Sequence, residues 1–231
     1  MIELRKVSKI YKVAKEDFYA LRDVDLRVEK GEFLSVCGTS GSGKTTLLNI
    51  IGFLDNMSGG TYTFNGRAVS GLKDGARAAI RNKEIGFVLQ DFALIDSQTV
   101  VYNVMLPLLF SKVPYGQIRE KAMKALQSVG LADQAKKKAN QLSGGQRQRV
   151  AIAREIVNDP SVLLADEPTG QLDSKTSAGV MELIRSLNDG GLTVIVVTHD
   201  PNVAAVAKRH LTILDGQIVD DKSDVAQISK V

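Results

Sequence analysis

An α/β fold is predicted for this chain of 231 residues. The expected arrangement is a mostly parallel sheet, with an antiparallel β subdomain at the N-terminal end and an inserted α-helical subdomain. Three observations predict it. The apolar run Phe33-Leu34-Ser35-Val36-Cys37 reads as a buried strand and leads straight into Gly38-Thr39-Ser40-Gly41-Ser42-Gly43-Lys44-Thr45. Two further apolar runs, Val162 to Ala165 and Thr193 to Val197, each end in polar groups, as central strands of a parallel sheet do. Between them and the first strand, over residues 91–149, the apolar spacing is that of helices.

Residues 1–90 read mainly as strands with one helix. Met1 to Arg5 starts an alternating strand, and Val24, Leu26 and Val28 alternate before a Lys-Gly turn. Thr61-Tyr62-Thr63-Phe64 ends in Asn65-Gly66, a hairpin signal. The helix starts near Lys44, with Leu47, Leu48, Ile50 and Ile51 on its apolar face. From Thr99 onward, Val101, Val104, Met105 and Leu108 share one face, and Ile118, Ala122, Ala125, Leu126 and Val129 share another. After Arg149 come the strand ending at Asp166, a helix over Ala178–Leu187, and the strand ending before His199. This alternation requires crossover helices. Leu211 to Val219 reads as a closing hairpin around Asp215-Gly216, and the polar tail from Asp220 is expected to be loose. One domain is expected, with 1–90 and 150–231 as its core and 91–149 as the helical insert.

The loop Gly38 to Thr45 has the spacing Gly, four residues, Gly-Lys-Thr, which cradles phosphates. Glycines at 38, 41 and 43 let backbone N–H groups approach anionic oxygens. The following helix points the positive end of its dipole at them. Lys44 supplies charge for the β- and γ-phosphates, and Thr45 a hydroxyl for Mg²⁺. Asp166, at a strand's C-terminal end, is expected to hold Mg²⁺ through water. Glu167 follows and is expected to orient or deprotonate the attacking water. Leu142-Ser143-Gly144-Gly145-Gln146, then Arg147-Gln148-Arg149, makes a serine-glycine turn opening a helix, which by itself reads equally as an ordinary capped helix start.

Composition narrows the setting. The net charge is +4, and hydrophobic residues make up 44%, enough for a full core. Lys136, Lys137 and Lys138 cluster on an expected exposed turn, and Arg147, Arg149 and Arg154 flank the serine-glycine helix as a solvated or phosphate-friendly face. Aromatic residues are not interleaved with these cations, so no nucleic-acid partner is expected. The single cysteine, Cys37, excludes an internal disulfide and suits a reducing compartment. No stretch approaches 18 apolar residues, so any transport would need another polypeptide.

The chain resembles the ATP-binding subunits of ABC transporters, in the branch serving lipoprotein-releasing, macrolide-export and antimicrobial-peptide-export permeases. The resemblance covers about Met1 to Gly216. It rests on Gly38 to Thr46, Ile85 to Gln90, Leu142 to Arg149, Leu163 to Asp173 and Val197 to Asp200. It implies a P-loop NTPase (RecA-like) fold and an ATPase that closes around two Mg-ATP as a homodimer. It further implies a separate membrane permease as partner and a place on the inner, cytoplasmic face of the cell membrane. Without ATP the chain is expected to be monomeric.

Residue by residue, the resemblance places ATP on Gly38, Thr39, Ser40, Gly41, Ser42, Gly43, Lys44, Thr45 and Thr46. Tyr11 would stack on adenine, worth roughly 1–3 kcal/mol and indifferent to the base. Gln90 would reach Mg²⁺ and the attacking water, alongside Thr45 and Asp166 as metal-site residues. Ser143, Gly144, Gly145 and Gln146 would close on the ATP held by the other copy, and Asp173 would cross the dimer interface. His199 would contact the γ-phosphate and act with Glu167, whereas His210 is expected to be structural. Three residues depart from the family pattern. Tyr102 stands where glutamate is common, Leu89 replaces a frequent phenylalanine, and Glu155 stands where alanine is usual; the last two are expected to leave catalysis untouched. The alternative function is the ATPase of a mechanotransmission or cell-division-type permease complex that transports nothing. A soluble ABC ATPase acting on ribosomes or DNA is disfavoured by the single site, and small-molecule kinases lack the second signature and His199.

Overall fold

In a computed structural model, residues 1–13 and 16–223 are described. The expected polar tail falls mostly outside them, at 224–231. The chain begins with β1 (Ile2–Val13) and β2 (Glu16–Val28), an antiparallel pair. β3 (Phe33–Cys37) enters the glycine loop, and α1 (Lys44–Ile51) leaves it. β4 (Gly59–Phe64) and β5 (Arg67–Ala68) form the hairpin predicted at Asn65-Gly66, both of whose residues have positive φ (50° and 75°) as a two-residue turn requires.

The one-helix reading of residues 1–90 is corrected. A second helix, α2 (Asp74–Glu84), precedes β6 (Ile85–Val88). Its buried member is Arg77, not an apolar side chain. Arg77 donates to the main-chain carbonyls of Phe53 (3.0 Å) and Asp55 (2.8 Å), and also bonds the side-chain carbonyl of Asn56. A helix docked by a charged side chain shows no apolar stripe, so its periodicity was silent.

Next come α3 (Val100–Leu109) and α4 (Tyr115–Ser128), two short 3₁₀ turns, and α5 (Gly144–Ile156). The boundary expected at 149/150 falls inside α5, so an unbroken helix joins the two segments. Then follow β7 (Val162–Asp166), α6 (Ser174–Asp189), β8 (Thr193–Val197), the short α7 (Pro201–Ala204), β9 (Arg209–Leu214) and β10 (Gln217–Ser223). The closing hairpin therefore runs four residues beyond Val219. Arg209 pairs with Asp221 across the strands through two bonds of 2.7 Å, which order a polar segment that has no apolar face.

Two sheets result. The first is antiparallel, in the order β2-β1-β4-β5, and the second runs β10-β9-β3-β8-β7-β6. In the second, every neighbouring pair is parallel except β9 with β10. Its central strands β3, β7 and β8 are buried on both faces and divide their side chains by the two-residue period. Leu34, Val36, Leu164, Ile195 and Val197 pack with α1 and the antiparallel sheet. Phe33, Leu163, Ala165, Val194 and Val196 pack against the helices from α3 to α6. The carboxyl ends of β3, β6, β7 and β8 thus open on one edge, where the site lies.

Candidate active site

The loop after β3 needs its glycines. Gly38 has φ 154° and Gly43 φ 107°, both in the region that favours glycine. A Cβ at Gly38 would stand 2.3 Å from the carbonyl oxygen of Ile213, and one at Gly43 2.4 Å from that of Ala20. Lys44 folds over the loop, its Nζ donating to the carbonyls of Gly38 (2.9 Å) and Thr39 (2.7 Å). The charge is therefore already centred in the anion cradle.

Facing it are the ends of β7 and β8. Their parallel register sets Asp166 opposite Val197, so Glu167 and His199 leave the sheet side by side. Thr45 donates from Oγ1 to Asp166 Oδ2 at 3.0 Å, linking helix α1 to strand β7. Burial, with the neighbouring Glu167 charge as a smaller cause, pushes the Asp166 carboxyl above its ordinary range, while the Thr45 bond and Lys44 oppose this. Glu167 adopts φ 48°. Its Oε1 accepts from the His199 backbone N–H at 3.1 Å and lies 2.6 Å from His199 Nδ1; Thr198 donates to its Oε2 at 3.2 Å. The carboxylate is mostly covered, whereas the imidazole is exposed. A largely covered acid that accepts from Thr198 and the His199 backbone beside an exposed ring is suited to orienting and deprotonating water.

These groups share one cavity of about 860 Å³. Of the expected residues, Gly38, Ser40, Gly41, Lys44, Thr45, Gln90, Asp166, Glu167 and His199 line it. Thr39, Ser42, Gly43 and Thr46 belong to the same loop and first turn but do not line it. Asp91 and Gln171 also line the cavity, and the sequence reading missed both. Asp91 adjoins the Ile85 to Gln90 stretch and Gln171 lies within the Leu163 to Asp173 stretch, which is the signal they carry. The described residues contain no group of three or more His, Cys, Asp or Glu side chains able to hold a metal. The hydroxyl–carboxylate pair of Thr45 and Asp166 fits a magnesium ion that takes its remaining oxygens from water and phosphates.

Comparisons with known proteins agree on the family. Residues 21–170 match the family described as ABC transporter. YknY of Bacillus subtilis (strain 168), described as an ABC transporter ATP-binding protein, is 48% identical over 95% of this chain and 95% of its own length. The chain belongs to the ABC transporter ATP-binding family. It is an ABC ATPase with the cassette fold. MacB of Syntrophobacter fumaroxidans, described as a macrolide export ATP-binding/permease protein, is 46% identical over the whole chain, which spans 33% of that protein. The dimeric structure of MJ0796, described as a bacterial ABC transporter cassette, superposes with a TM-score of 0.88 at 44% identity, covering 97% of this chain and 99% of that one. A second MJ0796 structure, described as a post-hydrolysis state bound to ADP and Pi, matches equally well.

The remaining residues of the cassette lie outside the cavity. Ser143 caps α5, its Oγ accepting from Gln146 N–H at 3.4 Å while Gln146 Oε1 accepts from Ser143 N–H at 3.0 Å. Gly145 lies against α6, where a Cβ would stand 2.2 Å from Thr176 Cγ2. Asp173 caps α6 and accepts from the Thr176 amide (3.0 Å) and hydroxyl (2.6 Å), which hold its carboxyl below the usual range. Tyr11 donates its hydroxyl to Asp55 at 2.7 Å and lies under the Lys9 ammonium, 4.7 Å from the ring centre. The second histidine, His210, sits 2.8 Å from Ser35 Oγ, between β9 and β3.

One expectation for α5 is corrected. Arg147 and Arg154 do not form a solvated face. Arg147 pairs with Asp96 at 2.5 Å, and Arg154, 11% exposed, donates to the carbonyls of Phe92 and Ala93. Glu155 has a structural place. It accepts from the Phe87 amide at 3.0 Å and from Arg154 Nε at 2.8 Å, so it secures edge strand β6, which leads toward Gln90; the expectation that it leaves catalysis untouched stays as it was. Arg149 is half-buried beside Gly179, whereas Lys136, Lys137 and Lys138 are exposed as expected.

Proposed function

We propose that this cassette closes as a homodimer around two Mg-ATP and drives a separate membrane permease, exporting a peptide, lipoprotein or drug-like molecule. The observation that carries the reading is the placing of the Glu167–His199 pair opposite Lys44 across one cavity. The loop amides, Lys44 and the α1 dipole bind the β- and γ-phosphates and stabilise charge on the transferring group. Glu167 takes the proton of the attacking water, and His199 steadies both the carboxylate and the γ-phosphate. Gln90 orients the same water. Mg²⁺, when bound at Thr45, Asp166 and Gln90, neutralises phosphate charge. Tyr11 stacks on adenine. Ser143, Gly144, Gly145 and Gln146 bind the γ-phosphate of the partner's ATP, and Asp173 crosses between the copies.

The proposed organisation has residues 91–149 as the helical unit presenting the signature and 1–90 with 150–231 as the nucleotide-binding core. None of the helices among the described residues is long and apolar enough to cross a membrane. The proposed partner is a membrane permease, with the cassette on the inner face of the membrane; the MacB relatives, described as ATP-binding/permease proteins, support the partner. The export reading is supported by the MacB relatives, described as export ATP-binding/permease proteins; the alternative is a mechanotransmission complex that transports nothing.

Glu167→Gln tests the site. Expected are unchanged ATP binding and a turnover about 10²–10⁴-fold lower, the scale of losing a general base. Wild-type turnover would reject the assignment. The same variant, tagged and held closed with Mg-ATP, should retain a polytopic membrane protein in stoichiometric amount from solubilised native membranes. Recovery of only soluble proteins would reject the permease partner and leave the ATPase standing.

A further inference from the structure

Helix α5 opens with the proposed signature, and its buried face grips the loop that carries Glu167. Gln148, one turn into the helix, is 0% exposed, and its amide nitrogen donates to the main-chain carbonyl of Pro168, the residue after Glu167. The Gln148 amide oxygen is buried without a hydrogen-bond partner among the described residues. A half-satisfied amide is a poor choice for stability alone, because an apolar side chain of the same size would fill the space with no polar atom stranded. The residue it reaches stands next to a strained one. Glu167 holds φ 48°, and a non-glycine residue persists there only when its surroundings fix it. Three bonds do so: Glu167 N–H to Val197 O (2.9 Å), Gly170 N–H to Glu167 O (3.1 Å), and Gln148 to Pro168 O. Only the last comes from α5. A second contact reinforces it, because Gly145 is pressed on Thr176, which Asp173 binds through two hydrogen bonds.

We infer that Gln148 is a positioning residue that ties Glu167 to the movement of the signature helix. It does not line the cavity that holds Lys44 and Glu167. When Ser143 and Gly145 close on the partner's ATP, α5 shifts, and the Gln148–Pro168 bond carries that shift to Glu167 of the same protomer. Occupancy of one ATP site thereby sets the carboxylate geometry of the other, and hydrolysis is cooperative. The inference rests on the proposed roles of Ser143–Gln146 and Glu167.

Gln148→Met keeps the length of the side chain and removes the donor. Expected are a kcat about ten- to a hundredfold lower, the scale of misplacing a catalytic group, and a Hill coefficient for ATP falling toward one. ATP affinity, measured in the Glu167→Gln background with and without the second change, is expected to stay within about twofold. Gln148→Glu supplies an independent readout. Only its protonated carboxyl can donate to Pro168, so its activity relative to wild type is expected to rise as pH is lowered. A purely structural role would lower the melting temperature yet leave kcat per folded molecule, the Hill coefficient and the pH ratio as in wild type. Any such wild-type behaviour in Gln148→Met overturns the inference. If the Met variant does not fold, a flat pH ratio for Gln148→Glu overturns it. Failure of the underlying reading is distinct: wild-type protein would then form no ATP-dependent dimer, or Glu167→Gln would hydrolyse ATP at the wild-type rate.

Discussion

Asp166 shows how a single residue trades stability for chemistry. Its carboxyl titrates above the ordinary aspartate value of 3.8, first because it is buried and then because Glu167 is adjacent. The folded state therefore binds more protons than the unfolded state between 3.8 and the raised value. Stability falls as pH rises through that window, and above it the full penalty persists. Asp166→Asn is expected to melt at a higher temperature than wild type at pH 7 without nucleotide, with the gain shrinking as pH falls toward 3.8. The same variant is expected to lose Mg-dependent turnover. Parallel melts and ATPase assays across pH check both; a lower melting point at pH 7 would contradict the burial argument. Much of this residue-level site was legible in the sequence, because the loop glycines, Lys44, Asp166, Glu167 and His199 are adjacent to strong strand signals. Asp91, Gln171 and the grip of Gln148 were not, since each depends on what a neighbouring segment does.

At the scale of elements, α5 is the hub. Its first turn packs on α6 at Gly145, its second holds Pro168, and its last turn supplies Arg154 and Glu155 to the strand and loop around Gln90. Gly145→Ala tests the first contact. The added methyl would stand 2.2 Å from Thr176 Cγ2, so α5 and α6 must separate. Overpacking of this kind costs typically about 1–3 kcal/mol, which in a chain of this size is a melting-point drop of roughly 2–4 °C per kcal/mol. An unchanged melting point would show that the helices yield freely. α5 itself was readable from its serine-glycine start. Its arginines were misjudged as solvated because charge in a sequence carries no information about which carbonyls lie nearby. The same limit hid α2, whose docking side chain is Arg77.

The whole molecule presents the Ser143–Gln146 turn and the cavity around Lys44 as separate surfaces, since none of Ser143, Gly144, Gly145 and Gln146 lines that cavity. The proposed dimer brings them together only through ATP, so its formation is expected to require a bound triphosphate. In the Glu167→Gln background, light scattering should give a dimer with Mg-ATP and a monomer without it. Adding Lys44→Ala should abolish the dimer together with nucleotide affinity. A dimer independent of ATP would contradict the expectation. The sequence by itself determined the fold class, the family and the chemistry of the loop, because glycine spacing, strand hydrophobicity and the residues at strand ends are local properties. Only the tertiary structure decided that Glu167 is held by His199 and Thr198, that Asp166 meets Thr45, and that α5 packs on Thr176 of α6 and reaches the Pro168 carbonyl through Gln148. Those contacts link residues far apart in the chain, and their partners are fixed by strand register and helix packing, which no single segment encodes.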